Sequence, residues 1–147
     1  MDTQEGIAGQ SGSSLRTLVV QGDSHLRAVI EWLVQDDPRF VLVGSVATGE
    51  QAVAWTDPLE VALVDLMVPG LDALVVVRTL RANHPAITVI VLADVDVPYL
   101  RAAAADAGAA DYLNRLEAGP GLGELILGLR TASVAGSAPQ NLHVGHG

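Results

Sequence analysis

The sequence contains no cysteine, no lysine and very few aromatic residues. Without cysteine the chain can form neither a disulfide nor a thiolate metal site, and nothing in it suggests secretion. Aromatic residues make up 3% of the chain but hydrophobic residues make up 50%, so the core must be built from valine, leucine, isoleucine and alanine. Such a composition favours helices packed on a sheet over an aromatic-rich sandwich.

Long apolar runs are also missing. No run approaches the roughly 18 residues that a membrane span requires, and the N-terminus has no basic stretch followed by an apolar segment. We therefore expect a soluble, cytoplasmic protein. The formal net charge of -9 repels phosphate backbones, so we do not expect this chain to bind nucleic acid directly.

The length of 147 residues suits one domain with its own core. Small and polar residues without a repeating pattern dominate both ends of the chain. We therefore predict a flexible N-terminal tail over residues 1–14 and a linker or flexible C-terminal tail over residues 132–147. The domain itself is expected to span residues 15–131.

Five short apolar segments alternate with five helical patterns between these tails. This alternation predicts an α/β fold, a doubly wound five-stranded parallel sheet with helices on both faces. The predicted strands are residues 15–20, 40–46, 60–64, 88–92 and 110–113.

Several polar residues mark where the helices are expected to begin. Asp23 is placed to cap the first helix. Thr48 with Gln51 three residues later matches a capping box for the second helix. Asp96, followed by Pro98, predicts the start of the fourth helix.

Asp65 follows the apolar run of residues 61–64 and precedes a turn over residues 66–70. A continuous apolar run of this kind is typical of a strand buried on both faces of a parallel sheet. Ligands and chemistry in such sheets collect at the carboxyl ends of the strands. Asp65 is therefore either a turn residue that faces water or the reactive group of a site.

Two segments carry a family resemblance. Residues 65–73 read Asp-Leu-Met-Val-Pro-Gly-Leu-Asp-Ala and residues 108–115 read Gly-Ala-Ala-Asp-Tyr-Leu-Asn-Arg. Over about residues 15–131 the chain resembles a response-regulator receiver domain, the flavodoxin-like module of two-component signalling. The resemblance implies that Asp65 occupies the phosphate-accepting position, Tyr112 the position of the switch aromatic, and Arg115 the position of the family's lysine.

The chain departs from the family at the positions that serve phosphorylation. The family has two adjacent acidic residues after the first strand that help to bind Mg²⁺. Counting back five positions from Arg27 places Gln21 and Gly22 there, with Asp23 one position late. The family's hydroxyl residue after the fourth strand corresponds to Ala93. The resemblance therefore implies a metal pocket and a phosphate site that have lost several of their parts.

These losses all weaken the same step. Moving a phosphoryl group onto Asp65 requires positive charge and hydrogen-bond donors around its oxygens. We therefore predict an atypical, phosphorylation-independent receiver domain that needs no Mg²⁺ or other cofactor and is not an enzyme. Asp65 and Arg115 are expected to form an ion pair that locks the site.

The resemblance also implies partners. Receiver domains dimerise through the fourth helix, fifth strand and fifth helix, so we expect a homodimer through that face. A histidine kinase or another signalling protein is the expected partner. The chain is expected to act as a signal-transduction and dimerisation module, and it fits the regulatory part of a transcriptional regulator.

Two other functions stay open. In the first, the chain is a conventional receiver that a histidine kinase phosphorylates on Asp65, with Asp23 and the Met67 carbonyl completing a makeshift Mg²⁺ site. In the second, it is a small-molecule-sensing pseudo-receiver, in which the vacated acidic pocket admits a ligand. Plainer interpretations also remain: Asp23 as a helix cap, Tyr112 as a packing residue, and Arg115 as a consequence of the absence of lysine.

Overall fold

The computed structural model describes residues 14–115 and 119–143, with side chains up to Ala132. It confirms the α/β fold, a parallel five-stranded sheet in the order β2-β1-β3-β4-β5. The strands are β1 (Leu15–Val20), β2 (Phe40–Val46), β3 (Val61–Asp65), β4 (Thr88–Ala93) and β5 (Asp111–Asn114). The helices are α1 (Ser24–Gln35), α2 (Gly49–Val53), α3 (Ala73–Asn83), α4 (Pro98–Ala107) and α5 (Leu122–His143).

The central strands are buried on both faces of the sheet. Every residue of β3 and β4 is buried, which explains their continuous apolar sequences. Successive side chains point to opposite faces, so Leu18 and Val20 join one core cluster whereas Val19 joins the other. Burying each such side chain stabilises the fold by roughly 1.5–3 kcal/mol.

Two of the predicted helix starts are confirmed. The Asp23 carboxylate accepts hydrogen bonds from the backbone N–H groups of His25 at 2.9 Å and Leu26 at 3.0 Å. Thr48 and Gln51 form the reciprocal capping box at the start of α2. Both caps satisfy backbone donors that a helix leaves unpaired in its first turn.

The predicted cap of α4 was wrong. Val97 occupies the cap position and makes no side-chain cap hydrogen bond, although Pro98 does lie in the first turn as expected. The Asp96 carboxylate instead lies 3.1 Å from the Arg101 guanidinium. The Asp96 carboxylate is therefore paired with a side chain of α4 and not with its backbone N–H groups.

Several elements end away from the predicted positions: β3, β4 and β5 each end one residue later, and β3 and β5 also begin one residue later. β3 includes Asp65 because its ladder with β4 continues to the pair of Asp65 and Leu92. α5 stays helical to His143, past the boundary at residue 132 that the composition suggested. The N-terminal tail predicted over residues 1–14 lies, except for Ser14, outside the described residues. Within the part of the chain that the structure describes, no helix combines the length and apolar character needed to cross a bilayer.

A close contact between Gly44 and Trp55 joins β2 to the segment after α2. A Cβ atom built on Gly44 would lie 2.3 Å from Cη2 of the Trp55 ring, so only glycine leaves room for the indole. The pairing register between β1 and β2 shifts next to this position, where Thr17 faces Leu42 but the next residue of β1 faces Gly44. The bulge and the glycine together seat the indole against the core.

Replacing Gly44 with alanine tests this contact. We expect Gly44→Ala to lower the free energy of unfolding by roughly 1–3 kcal/mol, because the added methyl group overlaps the indole. In a Trp55→Leu background the penalty should shrink. Urea unfolding of the four proteins of this double-mutant cycle measures the coupling.

Gly128 provides the matched control because a Cβ atom there meets nothing within 4 Å. Gly128→Ala in α5 should be neutral or stabilising by up to about 1 kcal/mol. A Gly44→Ala penalty of the same size with and without Trp55 would contradict the proposed packing.

Candidate functional site

The Asp65 carboxylate is the centre of the site. It ends β3 at the carboxyl edge of the sheet, and its side chain is 1% exposed. Arg115 donates from Nε to Oδ2 at 2.7 Å and from Nη2 to Oδ1 at 2.9 Å. The Gln21 amide donates to Oδ2 at 2.6 Å, and the Met67 backbone N–H donates to Oδ1 at 2.8 Å. Each carboxylate oxygen therefore accepts two hydrogen bonds.

Arg115 follows β5 and reaches the ends of β4, the adjacent strand, and of β3, the strand beyond it. Its planar fork fits the Asp65 carboxylate bidentately, which is the ion pair expected from the sequence. Its remaining nitrogen, Nη1, lies 3.3 Å from an Asp94 oxygen. The hydrogen bonds to Asp65 raise the pKa of the Arg115 guanidinium, against the opposing effect of burial. One guanidinium thus bridges two carboxylates.

Gln21 connects Asp65 to the start of α1. Its side chain is buried; its Nε2 donates to Asp65 while its Oε1 accepts the backbone N–H of Asp23 at 2.9 Å. The Gln21 carbonyl accepts a hydrogen bond from Arg27 Nη1 at 2.8 Å. An ionised carboxylate at this position could accept but not donate, and it would repel Asp65. The neutral amide therefore suits this arrangement better than an acidic residue.

Gly22 leaves no space for a side chain. A Cβ atom there would lie 2.4 Å from Cδ and 2.7 Å from Cγ of Pro69. The Pro69 loop is anchored on α2, because the Gly49 N–H donates to the Pro69 carbonyl at 2.9 Å. An acidic side chain at position 22 would therefore require this loop to move.

The other predicted site residues lie at the same edge in more modest roles. Asp23 caps α1, and its pKa is lowered chiefly by the hydrogen bond from the Leu26 N–H, with a smaller contribution from the charge of Arg115. Met67 contributes its backbone, while its side chain is exposed. Ala93 ends β4 and is fully buried. Among the described residues, no three His, Asp or Glu side chains lie together as a metal-binding group.

Tyr112 faces inward from β5. Its ring is buried, and its hydroxyl donates to the Val95 carbonyl at 2.9 Å. The Arg101 guanidinium carbon lies 5.1 Å from the ring centroid, within range of a cation–π contact. Burial is the main reason that the pKa of the Tyr112 hydroxyl is raised.

Asp94 was the residue that sequence reasoning missed. It is not among the site residues expected from the sequence, yet it shares the Arg115 guanidinium with Asp65. A signal for this contact was present, because Asp94 and Arg115 directly follow β4 and β5, which are adjacent in the sheet. Opposite charges at neighbouring strand ends are close enough to pair.

The family model for the response regulator receiver domain matches residues 17–121. The chain belongs to this family. It is 30% identical over 103 residues to the response regulator UvrY of Escherichia coli, covering 69% of this chain and 47% of that protein. It is 31% identical over 118 residues to a protein-glutamate methylesterase/protein-glutamine glutaminase of Rhodospirillum centenum, covering 73% of this chain and 29% of that protein.

Solved structures show the same fold. The response regulator domain of Thermotoga maritima CheB superposes with a TM-score of 0.72 at 20% identity, covering 80% of this chain and 97% of that one. The chain spans less than half the length of the two curated relatives named above.

The Asp65–Arg115 pair should contribute measurably to stability. We expect Arg115→Ala to lower the free energy of unfolding by about 3 kcal/mol, because it leaves a buried carboxylate without its charged partner. Arg115→Lys should cost less, since an ammonium keeps the charge but not the bidentate geometry. Denaturant unfolding measures both.

Arg78→Ala is the matched control, since it also removes one arginine but from an exposed position on α3. It should change stability by less than about 0.5 kcal/mol. Equal effects of the Arg115 and Arg78 substitutions would mean that the buried pair adds nothing to the fold.

Proposed function

We propose that this chain is an atypical receiver domain that signals through protein contacts and dimerisation without phosphorylation of Asp65. The bidentate ion pair between Asp65 and Arg115 is the observation that carries the proposal. An oxygen that is to accept a phosphoryl group must be free to approach phosphorus. Here both oxygens of the carboxylate are already engaged by a cation and by neutral donors.

The surrounding charges also oppose phosphorylation. A phosphoryl group would bring about -1.5 to -2 charge to Asp65, next to an edge that already carries Asp94. Ala93 offers no hydroxyl to a phosphoryl oxygen. Arg115 would have to release the carboxylate before it could bind the phosphoryl group. If each missing donor costs about 3 kcal/mol, transfer slows by several orders of magnitude.

The same residues suit Mg²⁺ poorly. Receiver domains bind Mg²⁺ at the site of phosphorylation, and this ion prefers octahedral oxygen ligands. Gly22 has no side chain that could bind the ion, and Pro69 fills the space that a side chain at this position would need. Gln21 directs its amide nitrogen, not its oxygen, at Asp65. We therefore propose that the domain works without a divalent ion.

The proposed output is contact with other proteins. We propose a homodimer through α4, β5 and α5, where Tyr99 is exposed on α4 and Val95 and Val97 are exposed in the loop before it. A histidine kinase or another signalling protein is the proposed partner, and the cytoplasm the proposed location. We propose that this receiver domain is not itself an enzyme and acts through contacts with other proteins.

A role as the regulatory part of a transcriptional regulator is also proposed. One solved structure with this fold is described as a DNA-binding response regulator of the LuxR family from Staphylococcus aureus, with a TM-score of 0.72 at 19% identity. That structure shares the fold alone. The proposal is that this chain receives a signal for an attached output domain.

A conventional receiver is the second candidate, favoured by the position of Asp65 at the carboxyl edge of the sheet. The small-molecule sensor has less support. A cavity of about 370 Å³ lies between α1 and the start of α5, with Trp32, Phe40 and Ile126 in its wall. Neither the vacated acidic positions nor Ala93 line it.

Treatment with Mg²⁺ and a small phosphodonor separates the two receiver functions. We expect intact-mass spectrometry to find no phosphoryl adduct on the wild-type protein, because Asp65 is held by Arg115. Asp65→Asn gives the mass baseline, and a conventional receiver treated in parallel shows that the donor is active. A stoichiometric adduct that disappears in Asp65→Asn would overturn the proposal.

Self-association tests the dimer face. Tyr99 is 78% exposed on α4, whereas Trp32 is 60% exposed on α1. We expect a dimer of the wild-type protein by light scattering, and Tyr99→Ser should weaken it by roughly thirtyfold, the effect of losing about 2 kcal/mol at an aromatic contact.

Trp32→Ser is the control, since it removes a comparably exposed aromatic residue from α1, outside the proposed interface. It should leave the dissociation constant unchanged. A monomeric wild-type protein, or equal effects of the two substitutions, would contradict the proposed interface.

A further inference from the structure

The loop between β4 and α4, residues 94–97, is tied down at three successive positions. The Asp94 carboxylate lies 3.3 Å from Arg115 Nη1, and the Asp96 carboxylate lies 3.1 Å from the Arg101 guanidinium. Between them, the Val95 carbonyl accepts a hydrogen bond from the Tyr112 hydroxyl at 2.9 Å. α4 has no side-chain cap hydrogen bond, so these contacts hold the loop in place of one.

The three ties differ in strength. The Arg101 ion pair is exposed, and such pairs contribute little. The Tyr112 hydroxyl bond is better protected because the ring is buried. The Asp94 carboxylate is as exposed as that of Asp96, at 66%, but its partner Arg115 is only 18% exposed, against 45% for Arg101. The two ties made by residues of the β5 end are therefore expected to dominate.

The contact between Asp94 and Arg115 depends on Asp65, because both carboxylates bind the same rigid guanidinium group. The guanidinium of Arg115 is planar, and its Nε and Nη2 atoms are fixed on the Asp65 carboxylate. That fork determines where Nη1 points, and Nη1 is the atom that meets Asp94. The contact between Nη1 and Asp94 therefore depends on how the Asp65 carboxylate holds the guanidinium. Asp65 acts on the loop through Arg115 and not through its own hydrogen bonds.

We propose that Arg115 is a positioning residue that couples the Asp65 carboxylate to the 94–97 loop through Asp94. The coupling holds Val95 and Val97, which are exposed in the loop, in one arrangement next to Tyr99. This inference rests on the proposed function and deepens it, because a permanent ion pair takes the place of a phosphoryl group as the link between Asp65 and this surface.

Hydrogen–deuterium exchange on the full chain tests the coupling. Asp65→Asn keeps the shape of the side chain but removes the charge that holds Arg115. We expect amide exchange in residues 95–101 to rise about tenfold in this variant, relative to the amides of β1, because the loop loses an anchor. Asp94→Asn should give a similar rise by itself.

The double variant with both Asp65→Asn and Asp94→Asn tests whether Asp65 affects the exchange of the loop through Asp94. If Arg115 links the two carboxylates, Asp65→Asn should add little to the exchange of the loop once Asp94 is already asparagine. Unchanged exchange in Asp65→Asn, or the same tenfold rise in both backgrounds, would overturn the proposal.

Two further variants separate positioning from a general loss of structure. Arg27→Ala removes an arginine at the same edge, where it binds the Gln21 carbonyl, and should leave the exchange of the loop unchanged. In Arg115→Lys, the exchange rate of the loop should lie between those of wild type and Asp65→Asn. A lysine ammonium cannot bind both oxygens of Asp65 with the arginine geometry and also reach Asp94. Exchange in Arg27→Ala equal to that in Asp65→Asn would contradict a specific role.

The adduct experiment and the exchange experiment read different properties of Asp65. A phosphoryl adduct would defeat phosphorylation independence while the loop could still respond to Asp65→Asn. Unchanged exchange in the loop would contradict the coupling, although Asp65 could still fail to accept a phosphoryl group from the phosphodonor. The two proposals can therefore fail separately.

Discussion

The ion pair between Asp65 and Arg115 is the interaction on which this site depends. A carboxylate that is 1% exposed is costly to bury unless it is paired and hydrogen-bonded. Arg115 supplies the charge and two of the hydrogen bonds, and Gln21 and the Met67 backbone supply the others. With these donors in place, each oxygen of the buried Asp65 carboxylate accepts two hydrogen bonds.

The remaining departures from the family are consistent with that pair. Gln21 donates to Asp65, which an ionised carboxylate at this position could not do, and Gly22 makes room for Pro69. Restoring an acidic residue at either position would disturb a contact that exists now. Under the proposed function, these residues form one arrangement in which the Arg115 guanidinium takes the place of a bound divalent ion.

Most of the fold could be predicted from the sequence because its strongest signals are local. The apolar runs of β3 and β4 and the caps at Asp23 and Thr48 depend on near neighbours in the chain. Asp96 was assigned wrongly as a cap because its competing partner, Arg101, is also local and takes the carboxylate. At the site, the pair of Asp65 and Arg115 was expected from the family resemblance, which places the two residues at the positions of the phosphate acceptor and of the family's lysine.

What could not be predicted depends on contacts between distant segments. The closure of Gly22 by Pro69 follows from a loop position that no short pattern encodes, and the sharing of Arg115 with Asp94 can be predicted only once the order of the strands is known. The most direct test of the central claim is a Mg²⁺ titration that follows the Arg115 Nε–H resonance by NMR. The ion pair predicts no shift of that resonance at millimolar Mg²⁺; a saturable shift that Asp65→Asn abolishes would show that the ion displaces Arg115 and would contradict it.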